Sequence, residues 1–441
     1  MSAPPQHTGG RLALAAVLTA LAAAGCSGGG GSAQSSPVSD TGTPTGGQPA
    51  SAAACSAPPS GDIGASPTSG QDFSSSEPDA SALALSDGER RSLTGGTVTK
   101  TGDSSSEDQS SFTGLNAAVL APGGARLGLS GTTITSTGTG ANAVFATGTG
   151  SLIQLQDVTI TAGGSLAHAV MATAGAAVTG ANLTMETTGE RSSAVATDRG
   201  GGEITLANAT ARTSGERSAL VYSTGQITAC NLAGASGAAE AVVVEGANAA
   251  AVTASDLTGA TAGARLYSST PGGTGGGSFS MTGGTLTARS GDAVLIEGVS
   301  GQVNLSNQAQ LQADAGILIH ATQGAQGSAN LSETTLTGAV GADAASSLDL
   351  SLTADSVIEG TLDNVGLTLD NTSSIRLDAD STATTVAGAL VSGNRISNIT
   401  GNGHTLTYDP SASGNSYLAG RSYDLQGGGT LQPAAETGEG G

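Results

Sequence analysis

Apolar residues recur about every 25 positions in three parallel tracks between Ala118 and Thr337. The first track is Val119, Val144, Val170, Val195, Leu220, Val242, Leu266, Val294 and Ile317. The second is Leu127, Ile153, Val178, Ile204, Ile227, Val252, Phe279, Val303 and Ala329, and the third is Ile134, Ile160, Met185, Ala211, Gly234, Gly259, Leu286, Leu311 and Leu336. Successive members lie 22 to 28 positions apart and the order of the tracks never breaks. Each member sits in a stretch that alternates, as in Ser151-Leu-Ile-Gln-Leu-Gln156 and Gly202-Glu-Ile-Thr-Leu206. A period of two puts one face in and one face out, which is the signature of a strand. No such strand buries its apolar face alone, so each must stack on the strand one coil earlier, about 4.8 Å away. The expected fold is all-β: a right-handed parallel β-helix with three strands per coil.

Between the second and third strands there is almost no room for a loop. That position carries Asp157, Asn182, Asn208, Asn231 and Asp256, residue types that tolerate a left-handed backbone. Stacked at one-coil spacing, these five are expected to form a side-chain ladder. With this turn in place the coil resembles the pectate lyase-like family of right-handed β-helices, in which a tight turn with stacked Asn joins the second and third strands. The alternating stretches Ser346–Leu362 and Gly401–Asp409, closing in Tyr423–Pro433, resemble the last coils of bacterial adhesin-like β-helices and autotransporter passengers. The departure from autotransporters is that no barrel-like segment follows Pro433.

The N-terminus reads differently. Arg11, the apolar run Leu12–Ala24 and the closing Ala23-Ala-Gly-Cys26 have the form of an export signal over residues 1–25. The run is too short for a stable membrane-spanning helix. Gly25-Cys26 resembles the lipobox of bacterial lipoproteins, with Ala23 where Leu is usual, and this resemblance implies lipidation of Cys26 and attachment to the cell membrane. Residues 26–87 are mostly Ser, Gly, Pro, Ala and Thr and are expected to be a disordered tether. Main coils are expected over 88–340, C-terminal coils over 341–433 and a disordered tail over 434–441. Cys55 and Cys230, the remaining cysteines, could form an extracellular disulfide or stay as two thiols. A net charge of −21 leaves no basic stripe for nucleic acid.

In pectate lyase-like enzymes the catalytic groups project outward from the first strand, so the resemblance directs attention there. If Val144 and its equivalents point in, the outward neighbours are Phe145, Met171, Ala196, Val221, Val243, Leu295 and Leu318, with Arg265 or Tyr267 between the last three. On this reading no paired carboxylates and no metal-activated base are present, and no catalytic residue, metal or cofactor is expected. Phe145, Met171, Val221, Val243, Leu295 and Leu318 would instead form an apolar ladder. It is read either as a contact face for a partner, as a surface covered by another segment, or as inward residues misread by one position. The expected function is a surface-anchored, non-enzymatic adhesin-like scaffold, its partner an unknown protein or glycan. With 2% aromatic residues the expectation leans to a protein or to self-association. The alternatives are a carbohydrate-active β-helix, an ice-binding surface and a purely structural one. Thr97-Val-Thr99, Thr133-Ile-Thr135, Thr159-Ile-Thr161, Thr285-Leu-Thr287 and Thr335-Leu-Thr337 resemble ice-binding rows, but four coils without the pattern interrupt them. His168, His320 and His404 are scattered, without zinc spacing, and the acids from Asp349 to Asp380 match no calcium loop.

Overall fold

A computed structural model describes residues 62–270, 273 and 275–435, together with 55, 56 and 58. The expected signal, Cys26, most of the tether and residues 436–441 of the tail lie outside the described residues.

The molecule is a right-handed parallel β-helix of about 15 turns. First strands build a sheet of 12 strands, and second and third strands together build one of 27. Pairing is parallel from coil to coil. Antiparallel pairs among the described residues occur near the C-terminal end, Val391–Ser392 against Arg395–Thr400 and Tyr423–Gln426 against Thr430–Pro433. The inward column of the first sheet is Val119, Val144, Val170, Val195, Val221, Val242, Ala264, Val294 and Ile319. Its partners lie 21 to 30 positions apart, because the loops between coils vary while the strands hold register. Every member of this column is fully buried. Each buried Val or Ile contributes roughly 1.5–3 kcal/mol, so the core is a sum of small, similar coil contributions.

Several register assignments differ from the sequence expectation. Ala250, Leu257 and Ala264 pair where Val252, Gly259 and Leu266 were expected. A slip of two keeps the same face inward, so the burial pattern survives. At Leu220 the slip is one residue: Val195 pairs with Val221, which turns Val221 inward and Tyr222 outward. Ala219-Leu-Val221 is an unbroken apolar run, with no alternation to set the register.

The turn ladder is shorter than expected. Asp157, Asn182, Asn208 and Asn231 have φ of 55–56°, and Asn182 donates to Asp157 at 2.7 Å while Asn231 donates to Asn208 at 2.9 Å. Asp256 is not at this turn; Ala254 holds the left-handed position in its coil, with φ 46°. Asp256 pairs with Ala233, on the third strand, and its carboxylate accepts from the Thr285 N–H. The Thr rows are broken in that coil by Asp256 and Thr258.

Strands begin earlier than the expected end of the tether. Pro67–Ser69, Phe73–Ser75 and Leu83–Ala84 stack on the coil that follows. In this Ser-rich stretch a few apolar side chains, Ile63, Leu83 and Leu85, complete a thin coil, because its hydrogen bonds come from the backbone of the next one.

Candidate functional site

Residues 101–118 leave the coil as an insertion. Its centre is a short helix, α1 (Glu107–Thr113), capped by the Ser106 side chain and ended by Gly114 at φ 78°. The Ser110 carbonyl accepts from the Asn142 amide at 3.0 Å, and the Phe112 carbonyl from the Thr173 hydroxyl at 3.0 Å. Arg199 stacks on the Phe112 ring at 3.8 Å. Beneath this insertion Ala117, Phe145, Met171 and Ala196 form a small second core, with Leu120 and Tyr222 at its edge.

The six residues expected to form a partner face therefore divide. Phe145 and Met171 point outward but are covered. Val243, also outward, is 5% exposed. Val221 points inward. Leu318 precedes the register residue Ile319 and is buried, so the outward position of that coil is His320. Leu295 alone points outward and is half-buried. The apolar ladder does not exist as an open surface.

Beyond Ala196 the outward column continues as Tyr222, Val243, Arg265, Leu295 and His320. Two residues further along each strand runs a second outward column: Asp198, Glu245, Tyr267, Glu297 and Thr322. Both Arg265 and Tyr267 point outward, since Ala264 and Leu266 pair inside. Carboxylates, hydroxyls, a guanidinium and an imidazole thus share one face over neighbouring coils. The expectation that this face holds no proton-transfer group is overturned, and the one-residue slip at Leu220 is part of the reason. Arg265 and Tyr267, expected as alternatives, are both outward, and Tyr222 could have been found by weighing loop lengths of unequal size.

The groups are organised around Glu245. Tyr222, Tyr267 and Ser269 all donate hydroxyl hydrogen bonds to its carboxylate, that from Tyr267 at 3.1 Å. Burial pushes the Glu245 carboxyl up, and the three hydroxyls outweigh it, leaving the group below its ordinary value and charged. Burial, reinforced by the same carboxylate, raises Tyr222 and pushes Tyr267 up to about 12. Asp198 is raised, by burial first and by the nearby Glu245 charge in addition. Arg265 meets Glu297 at 2.6 Å and Glu240 at 3.5 Å and lies over the Tyr267 ring at 4.3 Å. His320 Nδ1 lies 2.8 Å from Asp292. Such a surface can donate and accept several hydrogen bonds at fixed spacing and offer an aromatic edge. Among the described residues no group of three His, Cys, Asp or Glu is placed to hold a metal ion.

Cys55 and Cys230 are joined by a disulfide, with Cα atoms 5.7 Å apart. Cys26 lies outside the described residues. Comparison with known protein families finds no matching family model, and comparison with curated proteins finds no match.

Proposed function

We propose that this chain is a non-catalytic binding scaffold that presents the open half of its first sheet to an extended, hydroxyl-rich polymer such as a glycan at a cell surface. The observation that carries the reading is the outward column Asp198, Glu245, Tyr267, Glu297 and Thr322, in which the three carboxylates stand on alternate coils and the Tyr267 hydroxyl lies between Glu245 and Glu297. At about 4.8 Å per coil, carboxylates recur every 10 Å or so, a spacing matched to a polymer with a regular repeat. Glycan in place of protein is favoured by the local aromatic content: two of the five tyrosines in the chain, Tyr222 and Tyr267, stand in this patch. Aromatic residues are scarce in the chain but not here. The pectate lyase-like resemblance and the adhesin-like closing coils point the same way. Display by a lipid on Cys26 follows from the lipobox-like run, with the Ser/Gly/Pro-rich segment as a spacer.

A direct test is a polysaccharide panel read for binding and for released sugar ends together. Binding should drop at least about tenfold for Glu245→Gln combined with Tyr267→Phe, since two or more hydrogen bonds to a desolvated group are removed. Wild-type protein that binds no member of the panel would sink the glycan reading. A second reading, a carbohydrate-active enzyme, is favoured by one specific feature: Asp198 is pushed toward its neutral form while nearby Glu245 is held charged, the division of roles that an acid and its partner need. Release of sugar ends by wild type, lost in Asp198→Asn, would select it. Separately, Cys26→Ser should move the protein from membrane to medium.

A further inference from the structure

Cys55 and Ile63 pin the chain at two heights of the second-strand face. Ile63 is buried and packs against Gly128, and its carbonyl accepts from Arg90 at 3.2 Å. Cys55 is fixed four coils further along, on the strand Gln226–Ser236. The coils between are traced by the paired column Ser130, Gln156, Ala181, Ala207 and Cys230. Four coil steps of about 4.8 Å come to roughly 19 Å, and eight residue steps of extended chain reach about 27 Å, so the span closes without displacing a coil. Ala181 and Ala207, which lead up to Cys230, are buried. A cleft of about 360 Å³ between Pro58, Ile63 and the strands at Leu129, Leu155 and Ala181 runs along the same path. The chain thus enters the β-helix at its first coil but is covalently held at the coil of Cys230.

That coil also carries Tyr222, on the first sheet. We propose that the Cys55–Cys230 disulfide is a mechanical strap: tension arriving through the N-terminal segment enters the β-helix at the coil that carries Tyr222 and bypasses the coils before it. A repeat array under end-to-end load otherwise peels one coil at a time from the loaded end. With the strap closed, load between the N-terminal segment and a partner held at Glu245, Arg265 or Glu297 passes through the coils from Cys230 onward, and the coils before it carry none. The location of the partner rests on the proposed function; the load path does not.

The test is single-molecule pulling of the purified protein with handles at its two ends, with and without dithiothreitol, which reduces the disulfide to two thiols and is itself oxidised. The loop spans 175 positions, and at roughly 3.5 Å each it withholds about 600 Å of extension while the disulfide is closed. Reduction should restore that length and add an early series of low-force steps of about 25 residues, absent from the oxidised protein. Cys55→Ser should behave as the reduced wild type without dithiothreitol, which controls for effects of the reductant. Equal extension and the same first rupture with and without the disulfide would overturn the strap. Because no partner is present, that result would leave the binding proposal standing, and failure of the glycan panel would leave the strap standing.

Discussion

The first sheet has two halves built on one backbone. From Val119 to Val195 its outward side chains are Leu120, Phe145, Met171 and Ala196, and the insertion bearing α1 covers them. From Val221 onward the same column carries Tyr222, Val243, Arg265, Leu295 and His320, its polar members half-buried and paired with Glu245, Glu240, Glu297 and Asp292. Strand geometry is the same in both, so the difference lies in what stands over the sheet. Phe145 and Met171 left open would be an exposed apolar patch; burying each contributes roughly 1.5–3 kcal/mol, which is what holds a seven-residue helix too short to persist alone. In a β-helix, an outward apolar run reports a cover, and an outward polar run reports the free surface.

The sharpest way to break this comparison is at its seam. Val221 and Tyr222 are adjacent, one inward and one at the edge of the lidded cluster. Val221→Asp places an unpaired charge in the core, which costs several kcal/mol, and should lower Tm by many degrees or prevent folding. Tyr222→Ser should keep the β-sheet circular dichroism and shift Tm by a few degrees. The reverse ranking would mean that the register at Leu220 is the one read from sequence.

A second experiment removes the cover alone. Gly114 holds φ 78°, and a Cβ there would stand 2.6 Å from both Leu120 and Phe145. Gly114→Ala combines left-handed strain, of order 1–3 kcal/mol, with that contact, and should displace α1 while the coils persist. Faster oxidation of Met171, read by mass spectrometry, and new binding of an apolar dye are the expected signs. Unchanged Met171 reactivity would mean that the helix is not the lid.

Acid separates the halves more gently. His168 lies under the lidded half: its backbone N–H donates to Asn142, the residue that holds α1, and its Nδ1 accepts from the Ser193 N–H. Burial pushes the imidazole down to about 4. Between that value and the unfolded value of 6.5 the unfolded chain binds a proton that the native chain does not. Stability from the neutral ring is therefore complete above about pH 6.5 and is lost as pH falls toward 4. Between pH 7 and pH 4.5, protection against hydrogen exchange, taken relative to the intrinsic rate at each pH, should fall around Asn142, His168 and Ser193 before it falls in the coils from Val242 to Ile319. A uniform fall in protection would deny the lidded half any separate sensitivity.

What the sequence made legible follows the same division. The second and third tracks could be read because their strands alternate cleanly, as in Leu152–Gln156, and slips of two at Ala250 and Leu257 left the same face buried. The first track failed where alternation failed. Ala219-Leu-Val221 and Gly316-Ile-Leu-Ile319 offer no polar residue to mark the outward face, so periodicity alone places Val221 and Leu318 outward where the structure has Tyr222 and His320. The lid was legible in principle: Ser106 followed by Glu107, Asp108 and Gln109, then Gly114, is a helix start and stop. What could not be read was where that helix would land, because its contacts to Asn142, Thr173 and Arg199 join coils that only the loop lengths bring beneath it.

The smallest effect tests the open half by itself. Glu245→Gln removes the charge that Tyr222 and Tyr267 share but keeps a carbonyl to accept from them, so Tm should change little. Burial is the first cause of the raised Tyr267 hydroxyl and would remain; the Glu245 charge is the next. An ultraviolet titration of the variant should therefore find Tyr267 below its value of about 12 yet still above that of a free tyrosine. An unchanged titration would show that the two tyrosines and the carboxylate do not act together, and the patch would lose the feature that distinguishes it from ordinary outward strand residues.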